Sequence, residues 1–279
     1  MASHTLPDYA TPVQRLSHWA LLALAGVLLV FLMLPILVIV PLSFNADSIL
    51  MYPMTGFSLR WYEELAQSAP WRQALMNTAI VTPASTLLAV ALGTLAAVGL
   101  SRGEFAGKAL LTAILVSPMV VPAVIVGVAV YLLFAPLGLA GSYTGLILAH
   151  AVLGVPFVII TVTATLQGFD HNLMRAASSL GAPPLTAFFK VMLPVVAPGV
   201  ASGALFAFAT SLDEVVVTLF LAAPSQATLP RQMFAGIREN ISPTIAAVAT
   251  LLIVLSASAL VVVEYLRRRA ERIRTAKVD

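Results

Sequence analysis

No cysteine occurs in the 279-residue chain. That absence excludes disulfides, thiolate metal ligands and a cysteine nucleophile, and it leaves the redox compartment unreadable. Charge is scarce too: Asp, Glu, Lys and Arg make up 10% of residues against 60% hydrophobic, and mean hydropathy is +0.98. So little charge cannot coat a soluble surface, which places the chain among membrane proteins. The charges that exist are clumped. None lies between Arg15 and Asp47, Arg72 and Arg102, Lys108 and Asp170, Lys190 and Asp213, or Glu239 and Glu264.

Each of these intervals holds the roughly 20 apolar residues that a bilayer core demands. The longest is divided by "PLGLAGS", Pro136 to Ser142. The expected fold is therefore all-α, a polytopic membrane protein with six transmembrane helices: Trp19–Val40, Leu75–Leu100, Ala109–Phe134, Thr144–Leu166, Pro198–Leu221 and Ile245–Leu266. Eleven Lys and Arg residues fall on the side of the tail and four on the other, so the positive-inside rule puts both termini in the cytoplasm. The net charge of +3 and the tail "RRRAERIRTAK" read as topology and attraction to anionic lipid rather than nucleic-acid binding. Ala23–Ala25 has the form of a signal-peptide cleavage site, but the apolar run continues past it, so an uncleaved span is expected.

Trp61, Tyr62 and Trp71 suit an interfacial aromatic belt. Pro35, Pro118, Pro122 and Pro156 lie inside spans and mark expected kinks, whose freed backbone groups neighbouring helices must satisfy. Gly199, Gly203, Ala207 and Ser211 recur every four residues, a row of small side chains for close helix packing.

Catalytic chemistry is missing. "GEFAGKA", Gly103 to Ala109, has three residues between its glycines where a phosphate loop has four, and alanine where a magnesium-binding hydroxyl is needed. His4, His18, His150 and His171 lack metal-ligand spacing, and no nucleophile elbow occurs. His18 beside Trp19 reads as interfacial, His171 as an exposed loop residue, and His150 as structural. No enzyme activity, cofactor or metal site is expected in this chain.

A polar interruption, Gln167 to Ala197, has room for two short helices. Gly181 can close the first in a left-handed conformation, and Pro183 and Pro184 suit the first turn of the second. Leu185, Phe188, Phe189 and Met192 then share one apolar face. Such a short helix needs something to dock against. Headgroups and a cytoplasmic partner protein are both compatible with the periodicity.

Asp213 and Glu214 fall deep in the fifth apolar run, where a buried charge costs roughly 2.5–3.5 kcal/mol. Neighbours on a helix point about 100° apart. Continuous helix would align Glu214 with Ala207 and Ser211 on the packing row. Asp213 would align with Phe206, Thr210 and Val217, a face able to line a cation path. The alternative sets both acids near the outer headgroups, paired with Arg231 or Arg238.

"RAASSLGAPPLTAFFKVMLP", Arg175 to Pro194, resembles the EAA loop of inner-membrane permease subunits of binding-protein-dependent ABC importers. That pattern is Glu-Ala-Ala, three residues, Gly, nine residues, then Ile-x-Leu-Pro. Arg175, Ala176, Ala177, Gly181, Val191, Leu193 and Pro194 hold those positions with the spacing intact. "SFNADSILMYPMTGFSLRWYEEL", "LGTLAAVGLSRGEFAGK", "SPMVVPAVIVGVAVYLLF" and "TSLDEVVVTLFLAAPSQATLP" extend the resemblance to the spermidine/putrescine branch, nearly throughout after Ser43. Two positions depart from the pattern: Arg175 replaces the motif glutamate, reversing its charge, and Ala123 follows Pro122 where some polyamine permeases place an acid, which argues against a polycation.

The resemblance implies a type I ABC importer permease fold in a bacterial plasma membrane. It divides the chain into an N-terminal tail, first helix and outward loop over 1–74, a permease domain over 75–266 with the EAA loop at 167–197, and a basic tail over 267–279. It further implies partners: an ATPase subunit dimer that carries ATP and magnesium, a second homologous permease or a second copy of this chain, and an extracytoplasmic binding protein. Arg175, Ala176, Ala177, Gly181, Leu185, Phe188, Phe189, Leu193 and Pro194 become the ATPase-coupling set. Phe206, Thr210, Asp213 and Glu214 are the candidate substrate pathway, and "RQMFAGIRENISP", Arg231 to Pro243, the loop that receives the binding protein or gates the path. A polyamine or related small amine is the expected cargo. An ion-coupled secondary carrier with Asp213 or Glu214 as relay, and a transport-inactive membrane scaffold, are the competing classes.

Overall fold

A computed structural model describes residues 11–239 and 242–275. Twelve α-helices carry the described chain: α1 (Pro12–Leu42), α2 (Arg60–Gln67), α3 (Ala69–Arg102), α4 (Lys108–Val116), α5 (Ala123–Phe134), α6 (Tyr143–Leu166), α7 (Asn172–Ser179), α8 (Pro184–Ala187), α9 (Leu193–Leu212), α10 (Val216–Leu221), α11 (Leu229–Glu239) and α12 (Pro243–Thr275). Among the described residues the only extended pairing is one antiparallel bridge, Asn45 to Phe57. The fold is all-α, with five helices long and apolar enough to cross a membrane and a sixth crossing if α4 and α5 count as one.

Those two do not form the straight third span expected over Ala109–Phe134. They meet at 106°. Pro118 and Pro122, four residues apart, remove two amide donors from one stretch, and the helical ladder is interrupted there. Val120 and Val121 both donate to the Ser117 carbonyl, at 3.0 and 2.9 Å, and Pro122 starts α5 in a new direction. Pro35 and Pro156 by contrast lie within the continuous helices α1 and α6.

Helices α3, α6 and α9 pack against one another to form the centre. Association of apolar helices in lipid rests on close packing more than on exclusion of water, and the small-residue row of α9 provides it. Gly199, Gly203, Ala207 and Ser211 are all buried. A methyl group on Gly203 would stand 2.6 Å from Thr161 Oγ1 and 2.8 Å from Val158 Cα, so α6 and α9 touch nearly backbone to backbone. Gly154 of α6 fits between Ala89 and Ala207 in the same way. Around these contacts Val158, Val162, Leu166, Phe169, Met192 and Val196 form the apolar core. Helix α1, capped by a Thr11–Gln14 box, has no buried residue and touches α12.

Trp61 and Trp71, expected in an interfacial belt, are buried within the protein. Trp61 is 7% exposed, its indole N–H donating to the Asn45 carbonyl at 2.7 Å. Trp71 is buried among Leu65, Ala74, Leu229, Ile245 and Val248. The segment after α1 folds back over α3 and α12, so protein backbone rather than headgroups satisfies the indole. His150 is buried, His171 exposed, and His18 stands 6.2 Å from Trp19 edge to face. The expected Arg231–Pro243 loop is corrected: Arg231–Glu239 belong to α11. Asn240 and Ile241 of that segment, His4 and the end of the basic tail, 276–279, lie outside the described residues.

Candidate functional site: the elbow and the broken span

Between α6 and α9 the chain forms a rigid elbow. Helix α7 ends at Ser179 with Leu180 as its C-cap, and Gly181 follows with φ +79°. The Ala182 N–H bonds to the Ala177 carbonyl at 3.0 Å and the Gly181 N–H to the Ser178 carbonyl at 2.9 Å. This is the Schellman arrangement, in which glycine alone avoids the steric cost of positive φ. Pro183 and Pro184 then open α8, as expected.

The second arm is not a separate helix. At Phe188–Met192 the backbone widens into a π-turn, with the Leu193 N–H bonded to the Phe188 carbonyl five residues back, and runs on into α9. Pro184–Leu212 is one rod of 29 residues. Its inner flank therefore belongs to the bundle: Ala187 and Met192 are buried and Phe188 packs partly against the core. Leu185 and Phe189 point outward, 74% and 59% exposed, and Leu180 at the bend is 88% exposed. The single apolar face predicted for Leu185, Phe188, Phe189 and Met192 is thus split in two. Arg175 and Ala176 are exposed on α7, Ala177 is half-buried under the turn, and Leu193 and Pro194 begin α9. Leu180 was not picked out by periodicity; its position just before a left-handed glycine is the signal that it projects.

At its other end α9 breaks. A continuous fifth span over Pro198–Leu221 is corrected: the helix stops at Leu212, and Asp213 stands at its C-cap with its N–H on the Ala209 carbonyl at 3.1 Å. Glu214 turns its carboxylate along the chain, where Oε1 accepts the Val217 N–H at 2.6 Å and caps α10. A carboxylate at a helix N-terminus meets unpaired N–H groups and the positive end of the helix dipole, which offsets part of its desolvation cost. Glu214 is accordingly off the packing row. Neither acid pairs with Arg231, whose Nη1 donates to the Ala222 and Ala223 carbonyls, at 3.0 Å each, at the far end of α10.

Asp213 is exposed and borders a cleft of about 370 Å³ whose other walls include Leu212, Val215, Met233, Phe234, Leu252 and Ser256. Phe206 and Thr210 do not line it. Phe206, half exposed, stacks on Phe157 of α6 at 6.0 Å between ring centres. The four proposed pathway residues are consequently dispersed: Asp213 in the cleft, Glu214 in a cap, Phe206 against α6, and Thr210 half-buried on α9. Among the described residues no cluster of His, Asp or Glu has the makings of a metal site.

Residues 89–272 match the family described as binding-protein-dependent transport system inner membrane component. The chain belongs to that family. This permease is 34% identical over 241 residues to the spermidine/putrescine transport system permease protein PotC of Haemophilus influenzae, covering 86% of this chain and 93% of that one. It is 35% identical over 258 residues to the putrescine transport system permease protein PotI of Escherichia coli, covering 89% and 91%. A solved bacterial ABC transporter involved in the import of the acidic polysaccharide alginate shares its fold with a TM-score of 0.70 at 18% identity, over 94% of this permease and 99% of that chain. The protein is a transmembrane permease subunit of an ABC importer, which sets aside the ion-coupled carrier and the inactive scaffold.

Proposed function

We propose that the permease imports a small organic amine, a polyamine or a close relative, across the bacterial plasma membrane by alternating access driven by a separate ATPase dimer. The relatives named for spermidine and putrescine support the substrate class, at 34% and 35% identity. Asp213, the one carboxylate among the described residues of a largely apolar cleft, suits a cationic ligand. The elbow carries the mechanical part of this reading. Leu180, Leu185 and Phe189 are large apolar groups held outward by a locked turn, and such surface calls for a protein partner.

In this reading the ATPase holds ATP and magnesium and grips the elbow through Arg175, Ala176, Leu185 and Phe189. Ala177, Gly181, Phe188, Leu193 and Pro194 keep the elbow stiff. Because the second arm and α9 are one rod, movement of the elbow reaches the break at Asp213 without an intervening flexible link. A second permease, homologous or a second copy, completes the pathway, and an extracytoplasmic binding protein delivers the amine at the opposite end, where the Arg231–Pro243 segment lies. Both termini face the cytoplasm, following the distribution of Lys and Arg.

The test uses the complete importer in proteoliposomes with ATP inside or outside as orientation requires. Leu185→Asp and Phe189→Asp are expected to reduce ATP-driven uptake of radiolabelled putrescine and spermidine and to weaken retention of the ATPase, with the permease still inserted. Full uptake and full retention in both variants would remove the coupling role. Wild-type importer that takes up neither amine would remove the substrate class and leave coupling to be read from binding-protein-stimulated ATP hydrolysis.

A further inference from the structure

A string of polar side chains crosses the centre of the bundle beside the broken span. His150 of α6 is 1% exposed. Its Nδ1 lies 2.9 Å from Ser211 Oγ in the last turn of α9, and its Nε2 lies 3.0 Å from Thr218 Oγ1 in α10. Ser211 Oγ is in turn 2.9 Å from Ser85 Oγ of α3, which lies 3.1 Å from the Thr82 carbonyl.

A neutral imidazole satisfies the string in either direction. With Ser85 donating to the Thr82 carbonyl, Ser211 donates to Ser85, Nδ1–H to Ser211 and Thr218 to Nε2; with Ser85 donating to Ser211, Ser211 donates to Nδ1 and Nε2–H to Thr218. Both keep every buried member paired, as apolar surroundings require.

The two hydroxyls that His150 holds stand on either side of Asp213 and Glu214. Helix α10 has six residues, too few to keep its direction through its own hydrogen bonds. Glu214 caps its start and Arg231 holds the Ala222 and Ala223 carbonyls just past its end, but neither reaches α9. His150 does, from a third helix that packs against both.

We propose that His150 is the positioning residue of the broken span, setting the angle at which α10 leaves α9 and hence where Asp213 stands in its cleft. Its bearing on transport rests on Asp213 serving the amine pathway; the placement itself does not. An ordinary cross-link would stabilise the bundle without moving position 213.

Because the chain has no cysteine, a single thiol is readable. Asp213→Cys is introduced into the complete importer in native membranes, and its rate of reaction with a water-soluble maleimide is measured with His150 intact and with His150→Leu. Gln67→Cys, at an exposed position of α2, is the control. The expected result is a severalfold change in rate at 213 with no change at 67. His150→Asn, whose amide can take the place of Nδ1 but cannot reach Thr218, should fall between. Should His150→Leu not be recovered from the membrane, Ser211→Ala and Thr218→Val cut the two links singly and are expected to shift the rate in the same direction. An unchanged rate at 213, or equal changes at both positions, overturns the proposal. Uptake of radiolabelled putrescine by Asp213→Asn is measured separately: normal uptake would sink the pathway role of Asp213 and leave the labelling result standing.

Discussion

The Tyr143 hydroxyl donates to Asn77 Oδ1 across 2.6 Å, joining the start of α6 to α3. Asn77 is fully buried and is saturated: Gln73 also donates to its oxygen at 3.0 Å, and its amide nitrogen donates to the Ser225 and Ala227 carbonyls at 3.0 and 2.8 Å. One side chain thereby fastens the segment after α10 to two core helices. Asn77→Leu removes every one of these bonds, each worth about 0.5–1.5 kcal/mol net, and puts a bulkier apolar group into a fully buried position. A large fall in thermal stability of the purified importer is expected. Tyr143→Phe removes one bond and should cost about 1 kcal/mol. Equal melting temperatures for Asn77→Leu and the parent would show that these contacts carry no stability.

The approach of α6 to α9 makes a second, graded prediction. A methyl on Gly203 would meet Val158 and Thr161 within 3 Å, whereas one on Gly99 would meet nothing within 4 Å. Backbone contacts cannot rotate away as side chains can, so Gly203→Ala must push the helices apart. A cost of about 1–3 kcal/mol is expected for Gly203→Ala, with Gly99→Ala neutral, read as thermal stability in the same detergent. Indistinguishable variants would mean that the two helices have slack.

At the elbow, adjacent phenylalanines should behave differently. Their rings stand 5.0 Å apart, edge to face, yet Phe188 packs on the core while Phe189 is 59% exposed. Phe188→Asp places a charge against apolar neighbours and is expected to lower both stability and uptake. Phe189→Asp should leave stability near the parent and lower uptake and ATPase retention alone. Gly181→Asp, which puts a Cβ and a charge at φ +79°, should loosen the elbow and uncouple ATP hydrolysis from uptake with the protein still in the membrane. Matching stability losses for the two phenylalanine variants would contradict the split face.

Much of this architecture can be read from residue order. Apolar runs reveal the spans because a bilayer sets their length, and Gly181 reveals the elbow's bend because few residues tolerate its backbone angle. The small-residue row of α9 predicts close packing for a similarly local reason: nothing else fits there. What periodicity misses is competition for hydrogen bonds. A helical wheel carries Asp213 and Glu214 forward as though the ladder were unbroken. In the folded chain Glu214 gains more by capping a new helix than by staying in the old one. The π-turn at Phe188–Met192 escapes for the same reason, since the wheel assumes a fixed number of residues per turn. Trp61 and Trp71 fit a headgroup belt by residue type alone. Only the fold-back of the segment after α1 brings the Asn45 carbonyl within 2.7 Å of an indole.

The two neighbouring acids can be separated by experiment because they use different properties of the carboxylate. Glu214 needs an acceptor oxygen at the Val217 N–H, which an amide also supplies. Glu214→Gln is therefore expected to retain most uptake and stability, whereas Glu214→Ala, losing the cap, should cost about 1 kcal/mol of stability. Asp213 faces an open cleft in which its charge is the feature that would attract a cation. Asp213→Asn keeps the size and one acceptor oxygen, replaces the other by a donor NH2 and removes the charge. Uptake of radiolabelled putrescine should fall steeply in Asp213→Asn, with the melting temperature unchanged, and Asp213→Glu should recover part of it. The reverse pattern, with Glu214→Gln inactive and Asp213→Asn normal, would move the cation-recognising charge from the cleft to the cap.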